Sequence, residues 1–262
     1  MPINVPGATL SHLGRAPLRL AVAQVRYTPV HAVEKRDLVA DFETALDSRF
    51  VAREAQHTQS VRVVLGAPGQ PVGAAPPGFP FLPEVVWPFR DEERGYEIAL
   101  ANSSLALQIS DEYHDFPTFL TEFGEVLRAF VAIFHPKRRL RVGLRYVNEI
   151  DEPRFANPAY LVNVIDAGLL SPVGGAFGSD LVASLAELRF REKHGVFVLR
   201  HGLVDQTKYL LDLDYFQEEE DVFSPDAILD LICRFHELIE AVFVWCLKPE
   251  YLRKIKRVRR GR

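Results

Sequence analysis

Two similar stretches recur in this sequence, L-A-V-A-Q-V-R-Y from Leu20 and L-R-V-G-L-R-Y from Leu140, about 120 residues apart. Each alternates along its length, which is typical of a β-strand, and each arrives at an Arg-Tyr pair. The same order of predicted elements follows both stretches: a helix, several antiparallel strands and a second helix. A pattern that restarts in this way predicts an internally duplicated unit.

The predicted boundaries follow from this repeat. We assign an N-terminal segment (1–17), a first repeat (18–138), a second repeat (139–252) and a basic tail (253–262). The first repeat contains predicted helices at 33–55 and 119–134, strands at 20–27, 61–65 and 85–89, a loop at 66–84, and a hairpin of strands 96–101 and 105–110. The second contains predicted helices at 158–170 and from Pro225, strands at 140–150 and 181–191, a loop at 171–180, and a hairpin of strands 196–204 and 208–215.

The helices of both repeats have an apolar stripe, exemplified by Phe119, Phe123, Leu127 and Phe130 in the first. Amphipathic helices pack naturally on one face of an antiparallel sheet, so the sequence predicts an α+β fold. The element order resembles the TATA-binding-protein-like and helix-grip architectures, which share a long helix across such a sheet.

Three motifs carry a further resemblance: G-L-R-Y-V-N-E-I at 143–150, Y-L-L-D-L-D-Y-F at 209–216, and L-I-C-R-F-H-E-L-I-E-A-V-F-V-W-C-L at 231–247. Over nearly the whole length, the chain resembles a sporadically distributed, uncharacterised bacterial family of similar length with a G-L-R-Y-[VI]-N signature. The motifs of this family carry no established chemistry, so the resemblance supplies no catalytic residues to assign here. The patchy distribution that it implies is compatible with bacterial defence-type gene clusters.

Composition places the chain among soluble globular proteins, with 48% hydrophobic and 25% charged residues. No apolar run approaches the roughly 20 residues that span a bilayer, and the N-terminus does not resemble a signal peptide. Cys233 and Cys246 would lie about 20 Å apart on one helix, too far for a disulfide. We therefore expect a cytoplasmic protein with reduced thiols and no membrane association.

The familiar motifs of catalysis and cofactor binding are missing from the sequence. It has neither a P-loop nor a G-x-S-x-G nucleophile elbow, and the G-G-A-F-G stretch at 174–178 is a weak match to a phosphate-binding loop. H-E-L-I-E at His236 lacks the second histidine of the H-E-x-x-H zinc motif, so His236 is interpreted as structural. We expect no cofactor and no metal.

Asp212 and Asp214 are the best acidic pair in the sequence. At i and i+2 on a strand, both carboxylates share one face and lie about 7 Å apart. They could hold Mg²⁺ or divide acid and base roles, which makes them weak catalytic candidates. The alternative is that they are solvated positions of a half-buried strand; the corresponding residues of the first repeat are Gln108 and Ser110.

Two further groups are candidates for binding. In the strand at 140–150, alternation places Tyr146 and Asn148 on one face and Arg145 on the other. Arg145 and Asn148 could recognise a ligand, although Asn148 could equally hydrogen-bond backbone. The C-terminal region from Lys248 has eight Lys or Arg against one acidic residue, and its binding candidates are Arg253, Lys254, Lys256, Arg257, Arg259 and Arg260.

The basic tail has two interpretations. It could complement the preceding helix dipole and the acidic body, or it could bind an anionic partner such as nucleic acid. With few apolar residues, it should be removable after Leu252 at little cost in stability.

Two classes of function follow. The first, favoured by the lack of catalytic motifs, is a non-enzymatic binding or accessory protein that engages a protein or nucleic-acid partner. An oligomer or a protein partner is therefore expected. The second is a metal-dependent hydrolase that uses Asp212 and Asp214. A carrier of small apolar ligands is a further alternative, because helix-grip folds enclose apolar cavities.

Overall fold

The computed structural model describes residues 3, 17–47, 49–58, 84–110, 113–170 and 181–256, and it confirms the predicted α+β class. A mostly antiparallel sheet has flanking helices. The strands in this part of the chain are β1 (Leu18–Tyr27), β2 (Val51–Ala52), β3 (Gln56–Thr58), β4 (Glu84–Arg90), β5 (Tyr96–Ala101), β6 (Ser104–Ser110), β7 (Arg138–Asp151), β8 (Ala186–Glu192), β9 (Gly195–Leu203), β10 (Lys208–Gln217) and β11 (Asp221–Val222).

The α-helices within the described ranges are α1 (Arg36–Ala45), α2 (Phe116–Phe134), α3 (Pro225–Cys246) and α4 (Pro249–Lys256). Short 3-10 helices occupy His31–Glu34, Pro153–Ala156, Pro158–Asn163 and Ala167–Leu169. Among the residues that the structure describes, no helix combines the length and apolar character needed to cross a membrane.

The chain divides into two compact units. Unit 1 comprises residues 1–21, 144–217 and 233–262, and unit 2 comprises residues 22–143 and 218–232. Strands β1 and β7 and helix α3 therefore contribute residues to both units. The boundary predicted from the repeat, between residues 138 and 139, lies at the start of β7. It differs from the point within β7 where the two units meet, between residues 143 and 144. Internal duplication remains a prediction.

In unit 2 the strand order is β2-β4-β5-β6-β1-β7, and β5 pairs with β6 around the predicted Asn102-Ser103 turn. Helix α2 begins where the Asp115 carboxylate accepts a hydrogen bond from the Thr118 amide at 2.8 Å, and the buried ring of Phe130 packs 4.8 Å from that of Tyr27. The predicted apolar stripe therefore faces the sheet.

The helix predicted over 33–55 is wrong beyond residue 45. Helix α1 ends at Ala45, Asp47 takes the left-handed conformation at φ 56°, and β2 begins at Val51. Phe42 and Phe50 are nonetheless both fully buried, because a helix followed by a turn satisfies the same apolar spacing. The strand predicted over 61–65 and all but the last residue of the loop predicted over 66–84 lie outside the described residues.

In unit 1 the strand order is β7-β10-β9-β8, and α3 covers one face of these strands. The rings of Phe235 on α3 and Tyr215 on β10 lie 4.3 Å apart. Because side chains alternate along a strand, Tyr209, Leu211, Leu213 and Tyr215 share this face, whereas Asp212 and Asp214 lie on the opposite face. We call this opposite face the open face.

The helix predicted over 158–170 is also wrong, since short 3-10 turns replace it. The side chains of Asn157 and Asp166 each cap a new turn, and Ile165 forms an isolated bridge with Leu247 after α3. This bridge requires extended backbone at Ile165, which a continuous helix could not provide. The predicted loop at 171–180 lies outside the described residues.

Candidate functional site

Four charged side chains form a line across the open face of unit 1. We call the set the charge row: Arg145 on β7, Asp212 on β10, Arg200 on β9 and Glu187 on β8. Its order follows from strand register, because Asp212 lies opposite Arg200 and Arg200 lies opposite Glu187. Directly opposed residues share a face, so the signs alternate from strand to strand.

The Asp212 carboxylate is held by two guanidinium groups. Arg145 donates from Nε to Oδ1 at 2.7 Å and from Nη2 to Oδ2 at 2.6 Å, a bidentate pair. Arg200 adds a longer bond from Nη1 to Oδ2 at 3.3 Å. The Asp212 side chain is only 3% exposed and that of Arg145 is 18% exposed, so this pair is largely shielded from water.

The outer end of the charge row is more accessible. Arg200 donates from Nε to Glu187 Oε2 at 2.6 Å, and Arg189 donates to Glu187 Oε1 at 2.7 Å. Hydrogen bonding from Arg189 and then Arg200 lowers the pKa of Glu187. Burial acts to lower the pKa of Arg200, but the carboxylates of Asp212 and Glu187 outweigh it and raise that pKa. Both shifts favour the charged forms, so Glu187 and Arg200 are ionised at neutral pH.

The charge row shows how Asp212 and Asp214, the candidate catalytic pair, are placed on β10. Both do lie on one face of β10, as predicted, but the interpretation of Asp212 as a solvated position is wrong, because its side chain is buried under two arginines. Both of its oxygens accept guanidinium hydrogen bonds, which leaves it poorly placed to bind a cation. Asp214 is half-buried and adds to the negative charge around Arg200.

The face of β7 that packs against α3 has a structural role. The predicted alternation is confirmed, since Tyr146 contacts α3 through His236 while Arg145 lies on the open face. Asn148 is buried and donates from Nδ2 to the Leu211 carbonyl at 3.2 Å. Its amide is thus used to fix backbone, which favours the structural interpretation over ligand recognition.

His236 is half-buried and has a polar partner. Its Nδ1 lies 3.1 Å from the Tyr146 hydroxyl, and its Nε2 lies 3.9 Å from a Glu240 carboxylate oxygen. Burial lowers the pKa of His236 to about 4. The nearby carboxylate would favour the protonated ring, but burial dominates at this distance, so the ring is neutral at pH 7. This agrees with the prediction that His236 is structural.

A groove between β8 and the end of α3 was not predicted. It encloses about 510 Å³, and its apolar lining includes Leu188, Phe190, Phe197, Val242 and Trp245. Three of these side chains are unusually exposed: Leu188 at 40%, Phe190 at 37% and Trp245 at 40%. The alternation in A-E-L-R-F-R-E (186–192) was a usable signal, because it places Leu188 and Phe190 together on one face of β8.

The basic C-terminal region is partly docked. Arg253 and Lys254 belong to α4, where Arg253 pairs with Glu250 at 2.8 Å and Lys254 lies 3.7 Å from Glu152. Ile255, on the same helix, is only 7% exposed. The expectation that the chain can be cut after Leu252 at little cost is therefore revised. Lys256 ends α4, and Arg257, Arg259 and Arg260 lie outside the described residues.

A second buried carboxylate occurs in unit 2 and was also missed. Glu122 lies within the apolar stripe of α2 and is 5% exposed. Arg94 contacts it at 2.6 Å and Arg49 at 3.2 Å. Burial, followed by the charge of Glu122, raises the pKa of the neighbouring Tyr96 to about 12. Two arginines compensate this carboxylate, so we assign it a structural role.

Comparison with known proteins supplies no identity for the site. No protein-family model matches the chain, and no curated protein matches it significantly. Within the described residues, no cluster of three or more His, Cys, Asp or Glu side chains is arranged to hold a metal ion. The features of unit 1 that bear on function are therefore the charge row, the groove and strand β8.

Proposed function

We propose that this chain is a non-enzymatic binding or accessory protein that engages a protein partner through β8 and the adjacent groove. One observation carries the proposal. Among the described strands, β8 ends the strand order of unit 1, and its residues 187–191 are exposed on both faces. An edge strand presents unpaired backbone N–H and C=O groups, and proteins use such edges to add a strand from a partner.

The side chains around this edge support the proposal. Leu188, Phe190 and Trp245 provide apolar area beside the backbone edge, and exposed apolar clusters of this kind mark interaction surfaces. On the open face, Glu187 and Arg189 supply accessible charges of both signs. A surface with mixed charge suits a protein partner better than a polyanion, which requires net positive charge.

The alternatives have weaker support. A hydrolase that uses Asp212 and Asp214 would need a free carboxylate, whereas Asp212 is paired with two arginines. Nucleic-acid binding through the tail loses part of its basis, because Arg253 and Lys254 have acidic neighbours. Carriage of a small apolar ligand is the second candidate, since the groove volume falls within the roughly 300–1,000 Å³ of small-molecule pockets. A role in a bacterial defence-type system depends on the family resemblance alone.

Affinity capture with matched variants tests the proposal. We would express the tagged chain in its native host and compare the wild type with Leu188→Glu/Phe190→Glu. The matched control is Val222→Glu, which changes another exposed apolar residue, 60% exposed, on β11. We expect a partner identified by mass spectrometry to be retained by the wild type and the control and lost from the double variant.

Two outcomes would contradict the proposal. One is a partner whose capture is unaffected by the double variant, provided that circular dichroism shows the variant to be folded. The other is salt-sensitive binding of a polyanion that disappears when residues 257–262 are deleted, which would favour the nucleic-acid alternative. Co-purification of a small apolar molecule, lost in Trp245→Glu, would instead support the ligand carrier.

A further inference from the structure

We infer that the partner of β8 is a second copy of the same chain, paired antiparallel through its own β8. The inference rests on the proposed function, since it names the partner for the same edge. Strand β8 has the sequence A-E-L-R-F-R-E over Ala186–Glu192. One face presents Leu188 and Phe190, and the other presents Glu187, Arg189 and Arg191.

This strand is complementary to itself in one register. In an antiparallel pair related by a two-fold axis, each residue lies opposite a residue on the same face of the sheet. With the axis at Arg189, Leu188 lies opposite Phe190 of the partner subunit, and Glu187 lies opposite Arg191 of the partner subunit. Symmetry repeats each contact, which gives two apolar pairs and two ion pairs.

The same register extends the charge row into the second copy. Along the row the signs alternate from Arg145 to Asp212, Arg200 and Glu187, and Arg191 of the partner subunit provides the next positive charge. Within the described residues, Arg191 has no ion pair of its own. The two copies of Arg189 meet at the axis, but each retains its bond to Glu187 in the same chain at 2.7 Å.

Other registers pair the strand over fewer residues. An axis at Phe190 places Arg189 opposite Arg191 of the partner subunit in both copies, and it places Leu188 opposite Glu192 of the partner subunit. Like charges and apolar-to-charge contacts oppose this arrangement. Arg189 is also the midpoint of the seven residues of β8, so the favoured register alone pairs the strand along its full length.

The same pairing would also shield the apolar side chains of the groove beside β8. Phe190 and Leu188 of each copy would lie side by side on the face that carries α3, and the groove at Trp245 would continue across the axis. The apolar side chains that are 37–40% exposed in the single chain would then be shielded from water. Backbone pairing, apolar contact and charge complementarity thus favour the same partner.

One described residue of the N-terminal segment, Ile3, also lies at this edge. Ile3 lines the groove, and its backbone amide donates to Glu192 Oε1 at 2.6 Å. This contact is at Glu192, which the pairing described above places opposite Ala186 of the partner subunit. The N-terminal segment is therefore a competing explanation that the experiment has to distinguish.

Sedimentation velocity of the full chain, with charge variants, tests the inference. We expect a dimer for the wild type and for Lys193→Glu, a control that makes the same charge change in the adjacent turn. Arg191→Glu replaces two attractive pairs with two repulsive ones, so the dissociation constant should rise about 10- to 100-fold. Glu187→Arg should weaken the dimer in the same way.

Mixing the two weakened variants gives the sharpest result. A chain with Arg191→Glu and a chain with Glu187→Arg complement each other at both ion pairs, so the mixture should form a heterodimer although each variant alone dissociates. Restoration of this kind would not follow from misfolding. Circular dichroism of each variant confirms that both are folded before mixing.

Several outcomes would overturn the inference. The first is a wild type that stays monomeric at a protein concentration of about 100 μM, roughly 100 times a micromolar dissociation constant. The second is an Arg191→Glu variant that remains fully dimeric, and the third is a dimer that forms only after residues 1–16 are deleted. A monomer that still captures a different protein through Leu188 and Phe190 would overturn the second-copy inference and leave the proposed function standing. A monomer whose capture ignores those residues would overturn both.

Discussion

The buried pair of Arg145 and Asp212 should behave as an energetic unit, and a double-mutant cycle can measure it. Replacing Arg145 with Leu leaves a carboxylate that is 3% exposed with one bond, at 3.3 Å, to Arg200. Loss of one partner from a buried pair typically costs roughly 3–5 kcal/mol. Because the Arg200 contact remains, we expect this variant to lose about 3 kcal/mol. Replacing Asp212 with Leu should cost about 2 kcal/mol, because Arg145 is closer to solvent.

The double variant Arg145→Leu/Asp212→Leu should cost less than these two changes predict. It leaves no unpaired charge at the site, since Arg200 retains Glu187 at 2.6 Å. We expect the double variant to lose about 2 kcal/mol, which corresponds to a coupling energy of about 3 kcal/mol. A loss of 3 kcal/mol would lower the urea midpoint by about 1 M.

Urea unfolding followed by circular dichroism is the assay, and an exposed pair provides the control. Arg253 and Glu250 also lie 2.8 Å apart, but their side chains are 67% and 70% exposed. A cycle on that pair should give a coupling energy of about 0.5 kcal/mol or less. Additive effects of the Arg145 and Asp212 changes, with coupling as small as in the control, would refute the account of the charge row as a buried, mutually dependent pair.

Three further predictions concern stability. Burial lowers the pKa of His236 to about 4, so the native state resists protonation of this ring. The free energy of unfolding should therefore be highest above pH 6.5 and fall between pH 6.5 and 4. Thermal melts of His236→Gln should show a weaker fall over the same range. Gly202→Ala should cost about 1–3 kcal/mol in urea unfolding, because a Cβ there would lie 1.8 Å from the Ser184 carbonyl oxygen; an unchanged midpoint would contradict this contact. Truncation after Leu252 should lower the free energy of unfolding by about 2 kcal/mol, because it removes the buried Ile255. Truncation after Lys256 is the control, since it retains Ile255. Equal melting temperatures for the two truncations would show that the end of α4 does not stabilise the fold.

The elements that the sequence predicted well are those with a strong local pattern. The Phe stripe from Phe119 to Phe130 and the hairpin around Asn102-Ser103 are recorded in neighbouring residues, so no knowledge of distant contacts was needed. The same holds for the faces of β7 and β10. Strand alternation alone places Arg145 and Tyr146 on different faces of β7, and it places Asp212 and Asp214 on the same face of β10. Local periodicity was misleading only where turns could satisfy it equally well, as at Phe42 and Phe50.

The candidate site, by contrast, depended on tertiary structure. Arg145 and Asp212 are separated by 67 residues, and nothing in either local pattern indicates that β7 and β10 are neighbours. The exposure of Leu188 and Phe190 likewise follows from the position of β8 at the end of a strand order. By itself the sequence determined which side chains share a face. Only the packing of strands decided which faces meet, because the free energies of pairing and burial depend on contacts between residues far apart in the chain.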